Sequence, residues 1–311
     1  MVAHLPPVVK QLVSLRNPHS FPGPPVSKLN SILSSTFKDA QTKKVEKGWL
    51  TLATCTLLTA NVPSSVGHLY HFATRDDPFK VESRRSLSEA LQKAAIMRES
   101  ALKSCIFVGV PRVSSVVLVR DTLHIHLLHI LHSASPSFPQ TILSFAGMFE
   151  AFEDDVQNGL RKEPTHKRMA MPENVEAIKA RGQALWDSIY QPHAVKLYNK
   201  LGGYHPDFIV FIIQAYGAVL SPMPGGDSEQ GNLSRALGSV VGTACLRAEG
   251  RVGPQLVSHV FGLLKARNVE GLSEEDYWLA TDEGTEWVIR TVDSILDVVK
   301  VEEGAESQAK L

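Results

Sequence analysis

The histidine at position 259 is the strongest candidate for acid–base chemistry in this sequence. Its neighbours Val257, Val260 and Phe261 are apolar, and apolar surroundings shift the proton affinity of an imidazole readily, so that it can act as a general acid or base. Glu249, ten residues earlier, is placed to orient or protonate it. The alternative is that His259 bonds to a helix terminus and only supports the fold.

A second group of polar residues lies in two short segments, Tyr190-Gln191-Pro192-His193 and Tyr204-His205-Pro206-Asp207. Each segment places a histidine beside a proline at a predicted helix start, where an imidazole can cap free backbone amides or face a cleft. We predict that His193 assists His259 and that Tyr216 lines the substrate cleft. A structural role is the simpler alternative for all of these residues.

His68 and His71 form a corresponding pair in the first half of the chain. Three residues apart on a helix, they would share one face and could contact a substrate or a metal ion. Because no nearby acid or thiol completes a metal site, we predict substrate binding by this pair. We expect neither a metal ion nor another cofactor.

The composition excludes several classes of protein. Thirty-two basic and 32 acidic side chains in 311 residues leave no net field to attract nucleic acid or an anionic membrane. No apolar run reaches the ~20 residues that a membrane-spanning helix needs. Cys55, Cys105 and Cys245 are far apart and form no Cys-x-x-Cys motif, which argues against a disulfide framework and favours a reducing compartment.

The hydrophobic spacing predicts helices and almost no strands. In the first half the expected helices cover residues 26–36, 44–59, 64–73 and 86–108, the last stopped by Gly109 and Pro111. In the second half they cover 175–189, 193–200, 206–220, 234–249, 254–266 and 286–301. We therefore predict an all-α fold.

Two segments of the chain resemble each other. Cys55-(x7)-Pro63-Ser-Ser-Val66-Gly-His68 matches Cys245-(x8)-Pro254-Gln-Leu-Val257-Ser-His259 in order and in helical setting, which favours two copies of one helical unit. The predicted units are 45–118 and 175–301, after a Pro-rich leader and first helix at 1–44. Between them lie an insertion and linker at 119–174. Residues 120–147, rich in His, Leu, Ser and Pro, are either a real insertion or translated non-coding sequence, which transcript sequencing would decide.

The segment Gly253–Lys265, followed by Leu272-Ser273-Glu274-Glu275, resembles the signature of the carboxymuconolactone decarboxylase and AhpD-like superfamily. Residues 98–112 resemble the closing helix of that family and its aromatic-x-Gly-x-Pro turn. The resemblance spans residues 45–118 and 180–299. It implies an AhpD-like helical fold with two related repeats, and an oligomer, here a homo-oligomer.

Redox members of that superfamily use Cys-x-x-Cys-x-x-x-His with an upstream glutamate, since the histidine helps to form a thiolate and the second thiol resolves the sulfenate. In this sequence, other residues occupy the four equivalent positions: Val252 and Gln255 before His259, and Asn61 and Ser64 before His68. A peroxidase of this kind is therefore disfavoured.

The resemblance and the histidines together predict a cofactor-independent enzyme of small-molecule metabolism. A decarboxylase, isomerase or hydratase acting on an oxidised carboxylic acid or an acyl derivative would suit them, with His259 as the acid–base group. The alternative from another class is a non-catalytic AhpD-like scaffold that binds or oligomerises. An AhpD-like antioxidant peroxidase is the third candidate.

Two end segments bear on location. The C-terminal Ala309-Lys310-Leu311 resembles the Ser-Lys-Leu peroxisomal address, so we expect a peroxisomal protein with the import receptor as a partner. Residues 1–38 hold no acid, several serines and four Lys or Arg residues, as in a mitochondrial transit sequence. Because six prolines in this stretch would break an amphipathic helix, the mitochondrion is the second choice.

Overall fold

The computed structural model describes residues 7–12, 23–116 and 137–300, and within these ranges the chain is built from fourteen α-helices without a β-strand. This confirms the predicted all-α fold. In the first part the helices are α1 (Pro7–Leu12), α2 (Val26–Lys43), α3 (Glu46–Thr59), α4 (Pro63–Thr74), α5 (Leu87–Val116), α6 (Ser137–Ala151) and α7 (Asp154–Gly159). In the second part they are α8 (Val175–Tyr190), α9 (Ala194–Tyr204), α10 (Pro206–Ala215), α11 (Arg235–Glu249), α12 (Gly253–Lys265), α13 (Glu274–Leu279) and α14 (Asp282–Lys300).

Helices α3 and α11 pack against each other at the centre of the molecule. All residues of α3 from Gly48 to Thr59 are buried, as are those of α11 from Ala236 to Leu246. A helix that is buried on every side must satisfy its polar side chains internally. The threonines of α3 do so by donating to the carbonyl oxygen four residues earlier.

The pairs α3–α4 and α11–α12 have the same local design. In each, a buried central helix is followed by a short turn and then by a helix with a proline in its first turn, Pro63 or Pro254. Cys55 of α3 and Cys245 of α11, the first residues of the matched segments, are buried and interact through their thiols. The derivation of both pairs from one repeated unit stays a prediction.

Helix α6 begins inside the segment predicted to be an insertion, and it packs closely on α4. A Cβ atom added to Gly147 would lie 2.7 Å from the carbonyl oxygen of Pro63, and one added to Gly67 would lie 2.7 Å from that of Gly147. The helices therefore touch through their backbones. Beyond α6, the Tyr70 hydroxyl donates to Glu153 over 2.5 Å. The chain from residue 137 onward is thus part of the packing around the first helix pair.

Some sequence predictions fall outside the described ranges. They include most of the leader, the last two residues of the first predicted repeat, residues 119–136 of the insertion and linker, and Ala309-Lys310-Leu311. Among the helices that are described, none combines the length and the apolar character needed to cross a membrane.

Candidate functional site

A small cavity lies beside His259, where α5, α8, α9, α10, α11 and α12 meet. Its volume is about 160 Å³, close to that of an engineered apolar cavity of ~150 Å³ that binds benzene. The apolar lining is Ile106, Phe107, Trp186, Leu197, Leu201, Phe208, Ile212, Leu246 and Pro254. The polar lining is Tyr190, Tyr216, Gln255, Ser258 and His259. Such a site, mostly apolar with a few converging polar groups, is typical of small-molecule binding.

Three polar groups meet at the wall of this cavity. His259 Nε2 lies 3.3 Å from the hydroxyl oxygen of Tyr190 and 3.3 Å from that of Tyr216, and the two hydroxyl oxygens are 3.1 Å apart. In the neutral imidazole, Nε2 can accept a hydrogen bond from one hydroxyl while the second hydroxyl donates to the first. The arrangement is a closed triangle of hydrogen-bonding atoms.

All three groups are uncharged at neutral pH. Burial, and then the positive charge of Arg235, lowers the pKa of His259 to about 3. Burial raises the pKa of Tyr190 to about 12, and burial together with the neighbouring Tyr190 raises the pKa of Tyr216 well above its ordinary value. The site therefore offers a neutral imidazole and two phenol donors, groups that polarise substrate oxygens in known enzymes.

Two close neighbours fix the imidazole of His259. Its Nδ1 atom is buried and has no hydrogen-bond partner within the described part of the chain. This atom lies against Gly242 of α11, where an added Cβ would be 2.8 Å from it. The ring of Phe107 stands at 86° to the imidazole, with centroids 4.8 Å apart. A side chain at position 242 would therefore displace the histidine.

The two tyrosines are held by a close contact between α8 and α10. Tyr190 ends α8, and Tyr216 begins a single π-helical turn, Tyr216–Leu220, that continues α10. The helices touch where a Cβ added to Gly182 would overlap the carbonyl group of Ile213. Turns of the π type within α-helices are frequent at functional sites.

A buried lysine fixes the end of this π-helical turn. The side chain of Lys103 on α5 is fully buried, and its Nζ lies 3.3 Å from Glu99 Oε1. Its Nζ donates to the carbonyl oxygens of Val219, Leu220 and Ser221 over 2.7, 2.7 and 3.0 Å. Burial lowers the pKa of Lys103 to about 8. Lys103 therefore ties the helix that carries Phe107 to the turn that carries Tyr216.

The pair His68 and His71 does not line the cavity beside His259. His68 Nε2 lies 2.5 Å from the side-chain oxygen of Asn30 on α2, and His71 Nε2 donates to the carbonyl oxygen of Ala151 over 3.0 Å. Both rings thus join α4 to its neighbours. These contacts explain the two histidines structurally, and their role in substrate binding stays a prediction. No group of three metal-binding side chains occurs in the described ranges.

The predicted assistants of His259 lie elsewhere. Glu249 is the last residue of α11 and does not line the cavity, and the hydrogen bonds of His259 go to the two tyrosines. His193 is exposed at the N-cap of α9, in a groove outside the cavity. Tyr216 lines the cavity, and its contact with a substrate stays a prediction. The partnership of Tyr190 with His259 was missed, although the tyrosine follows Trp186 by four residues on one helix face.

Val252 and Gln255, the residues that the sequence resemblance aligned with redox cysteines, differ in position. Gln255 lines the cavity one helical turn before His259, whereas Val252 is the N-cap of α12. Cys55 and Cys245 lie between α3 and α11 and are not cavity residues. Comparisons of the chain with protein-family models, with curated proteins and with solved structures found no match.

Proposed function

We propose that this protein is a cofactor-independent enzyme that transfers a proton on a small substrate bound in the cavity. His259 is the acid–base group, and Tyr190 and Tyr216 are the hydrogen-bond donors. The observation that carries the proposal is the triangle of one imidazole and two phenols at the wall of an apolar cavity. Decarboxylation, isomerisation and hydration all fit, since each places negative charge on a substrate oxygen for part of the reaction.

The electrostatics of the site favour a reaction of this type. A phenol with a raised pKa stays protonated and can donate to a developing oxyanion in a site that excludes water, where such a bond is strongest. The burial that lowers the pKa of His259 also keeps its imidazole neutral when no substrate is bound. The imidazole accepts a proton only as negative charge forms beside it, so that proton transfer is coupled to substrate ionisation.

The resemblance to the carboxymuconolactone decarboxylase and AhpD-like superfamily belongs to this proposal. The all-α fold and the position of His259 after Pro254 agree with it. The absence of thiols at positions 252 and 255 leads us to propose non-redox chemistry. A peroxisomal location and a homo-oligomer follow from the C-terminal tripeptide and from the resemblance, and both are part of the proposal.

A binding scaffold without catalysis is the second candidate. It is favoured by the contact of His259 Nε2 with two hydroxyl groups of the protein, because an imidazole held in this way can serve the packing of α12 alone. Both candidates predict ligand binding in the cavity. Only the enzyme predicts proton transfer to the ligand.

Proton transfer can be tested by the uptake of deuterium from D2O into carbon acids, observed by NMR. The probes are cyclohexanone, 2-oxohexanoate and 3-oxohexanoate, whose carbon skeletons suit the cavity. We expect the protein to accelerate exchange into at least one probe and His259→Gln to abolish it. Tyr190→Phe and Tyr216→Phe each remove one donor to an oxyanion, a loss of roughly 10²–10³-fold.

The matched control is Tyr277→Phe, which removes a hydroxyl from an exposed tyrosine on α13 and should leave exchange unchanged. Circular dichroism would verify that every variant keeps its helical content. Exchange at the buffer rate with all three probes, or equal rates for His259→Gln and the unmodified protein, would contradict the enzyme and favour the scaffold.

A further inference from the structure

A groove on the surface continues from the cavity. It has a volume of about 440 Å³ and runs between the α8–α9 turn and α12. Tyr190, Leu197 and Ser258 line both the groove and the cavity. A ligand can therefore occupy the two spaces together, with one part beside His259 and another part outside.

The groove is basic, whereas the cavity carries no charge. Lys196, Lys200, Lys265 and His193 line it, and its lining contains no Asp or Glu. Lys196 and Lys200 are exposed, lie four residues apart on α9, and form no ion pair or hydrogen bond within the described residues. Two unpartnered ammonium groups on one helix face repel each other, and a bound anion would relieve that repulsion.

Lys265 contributes a third ammonium group in a fixed position. Its Nζ donates to the carbonyl oxygens of Ile189 and Gln191 over 2.6 and 2.7 Å. An ammonium group has three protons, so one donor remains beside the groove. Because carbonyl groups do not neutralise it, the full positive charge of Lys265 is available to a ligand.

We infer that the groove binds a phosphate-bearing head group of a ligand whose apolar part, of about six carbon atoms, enters the cavity beside His259. The inference rests on the proposed function, for which it names the substrate class. Three ammonium groups without a carboxylate partner suit a dianion better than a monoanion, since each attraction scales with the charge of the ligand. Lysine binds phosphate as a point charge, so a cluster of lysines can hold such a head group without the bidentate fork of arginine.

Three probes that share one alkyl chain separate the head group from the tail: hexyl phosphate, hexanoate and 1-hexanol. Their affinities for the full chain can be measured by calorimetry at about 20 mM and about 200 mM salt, which span a strong change in screening. We expect hexyl phosphate to bind most tightly and 1-hexanol least tightly. The preference for hexyl phosphate should shrink at the higher salt concentration, and the affinity for 1-hexanol should not change.

Lys196→Gln together with Lys200→Gln should weaken hexyl phosphate roughly three- to tenfold, the effect of two exposed charge pairs, without changing the affinity for 1-hexanol. Lys28→Gln, an exposed lysine on α2 outside the groove, is the matched control and should change neither affinity. Because both lysines are exposed, we expect the double variant to fold like the unmodified protein.

The outcomes distinguish this inference from the proposed function. Equal binding of hexyl phosphate and 1-hexanol, tighter binding of hexanoate than of hexyl phosphate, or no binding of hexyl phosphate would each overturn the inference. Deuterium exchange into the neutral probe cyclohexanone tests the proposed function by itself, because that reaction does not involve the lysines. If the protein accelerates deuterium exchange but does not prefer hexyl phosphate, the proposed enzymatic function stands and the inferred head-group site is wrong.

Discussion

Apolar side chains surround His259, but they are not those of the residues next to it in the sequence. Val257 and Phe261 are each 55% exposed, whereas Phe107 from α5 packs against the imidazole. Residues two places apart on a helix point in different directions, so Val257 and Phe261 cannot share the buried face of His259. His259 could be chosen from the sequence as the candidate acid–base residue. Its partners come from α5, α8 and α10 and depend on tertiary packing.

The buried imidazole makes the stability of the protein depend on pH. The pKa of His259 is lowered from 6.5 to about 3 in the folded protein, so the unfolded chain binds one more proton between these two values. Linkage then requires the free energy of unfolding to fall as the pH falls below about 6.5, by up to about 1.4 kcal/mol per pH unit for this group. His259→Gln removes the titrating group and should make the dependence shallower by that amount.

Urea unfolding at several values between about pH 4 and pH 7 would measure this difference. Both proteins should show the same dependence above about pH 7, where neither the folded nor the unfolded form binds the proton. Parallel curves for the two proteins throughout the acidic range would show that His259 is charged in the folded state, contrary to its apolar burial.

At the scale of elements, the helices themselves could be predicted from hydrophobic spacing, but several of their ends could not. The predicted stop of one helix at Gly109 and Pro111 was wrong, since α5 continues to Val116. A proline within a helix removes one hydrogen bond and can kink the helix without ending it. Helix α6 was missed in part because its composition differs from that of the other helices. Its packing on α4 depends on the close approach of the two backbones at Gly147.

The contact between α8 and α10 sets the distance between Tyr190 and Tyr216. Gly182→Ala would place a methyl group on the backbone of α10, so that the helices must separate. We expect a loss of stability of about 1–3 kcal/mol, as for other overpacked sites, and weaker binding of 1-hexanol. Thermal unfolding and calorimetry would measure the two effects.

Gly203→Ala on α9 is the control, because an added Cβ at that position meets no atom within 4 Å. Alanine in a helix is more favourable than glycine by roughly 0.5–1 kcal/mol, so this variant should be more stable than the unmodified protein. A Gly182→Ala protein that gained stability in the same way would rule out a backbone contact between the two helices.

At the scale of the whole molecule, the cavity joins the two halves of the sequence. Ile106 and Phe107 come from the first predicted repeat, and the remaining lining residues come from α8 to α12 in the second. Lys103 adds a polar link between the halves. Local patterns could not predict this arrangement, because each half of the sequence carries only part of the site. The proposed activity therefore requires both halves of the chain.

Lys103→Met should show how strongly the halves depend on this link. The substitution leaves three carbonyl oxygens without their donor and takes one cation from Glu99. Breaking a buried ionic contact on one side costs about 3–5 kcal/mol. We expect a lower midpoint in urea together with weaker 1-hexanol binding, because the turn that carries Tyr216 is no longer fixed.

Lys179→Met is the comparison, since Lys179 is half exposed and, among the described residues, forms an ion pair only with Glu176, a contact worth at most about 1 kcal/mol. The two lysines should therefore differ clearly in their effect on the free energy of unfolding. Similar small losses for both variants would refute the role of Lys103 as the link between the halves.

The pairing of α3 with α11 also sets the order in which this protein can assemble on the ribosome. Arg235, at the start of α11, follows Glu46, at the start of α3, by 189 residues. At ~5–20 residues per second, α3 leaves the ribosome roughly 10 to 40 s before its partner exists. During that time α2, α4 and α5 can already pack on α3, but the face of α3 that contacts α11 has no native partner and is exposed to non-native contacts.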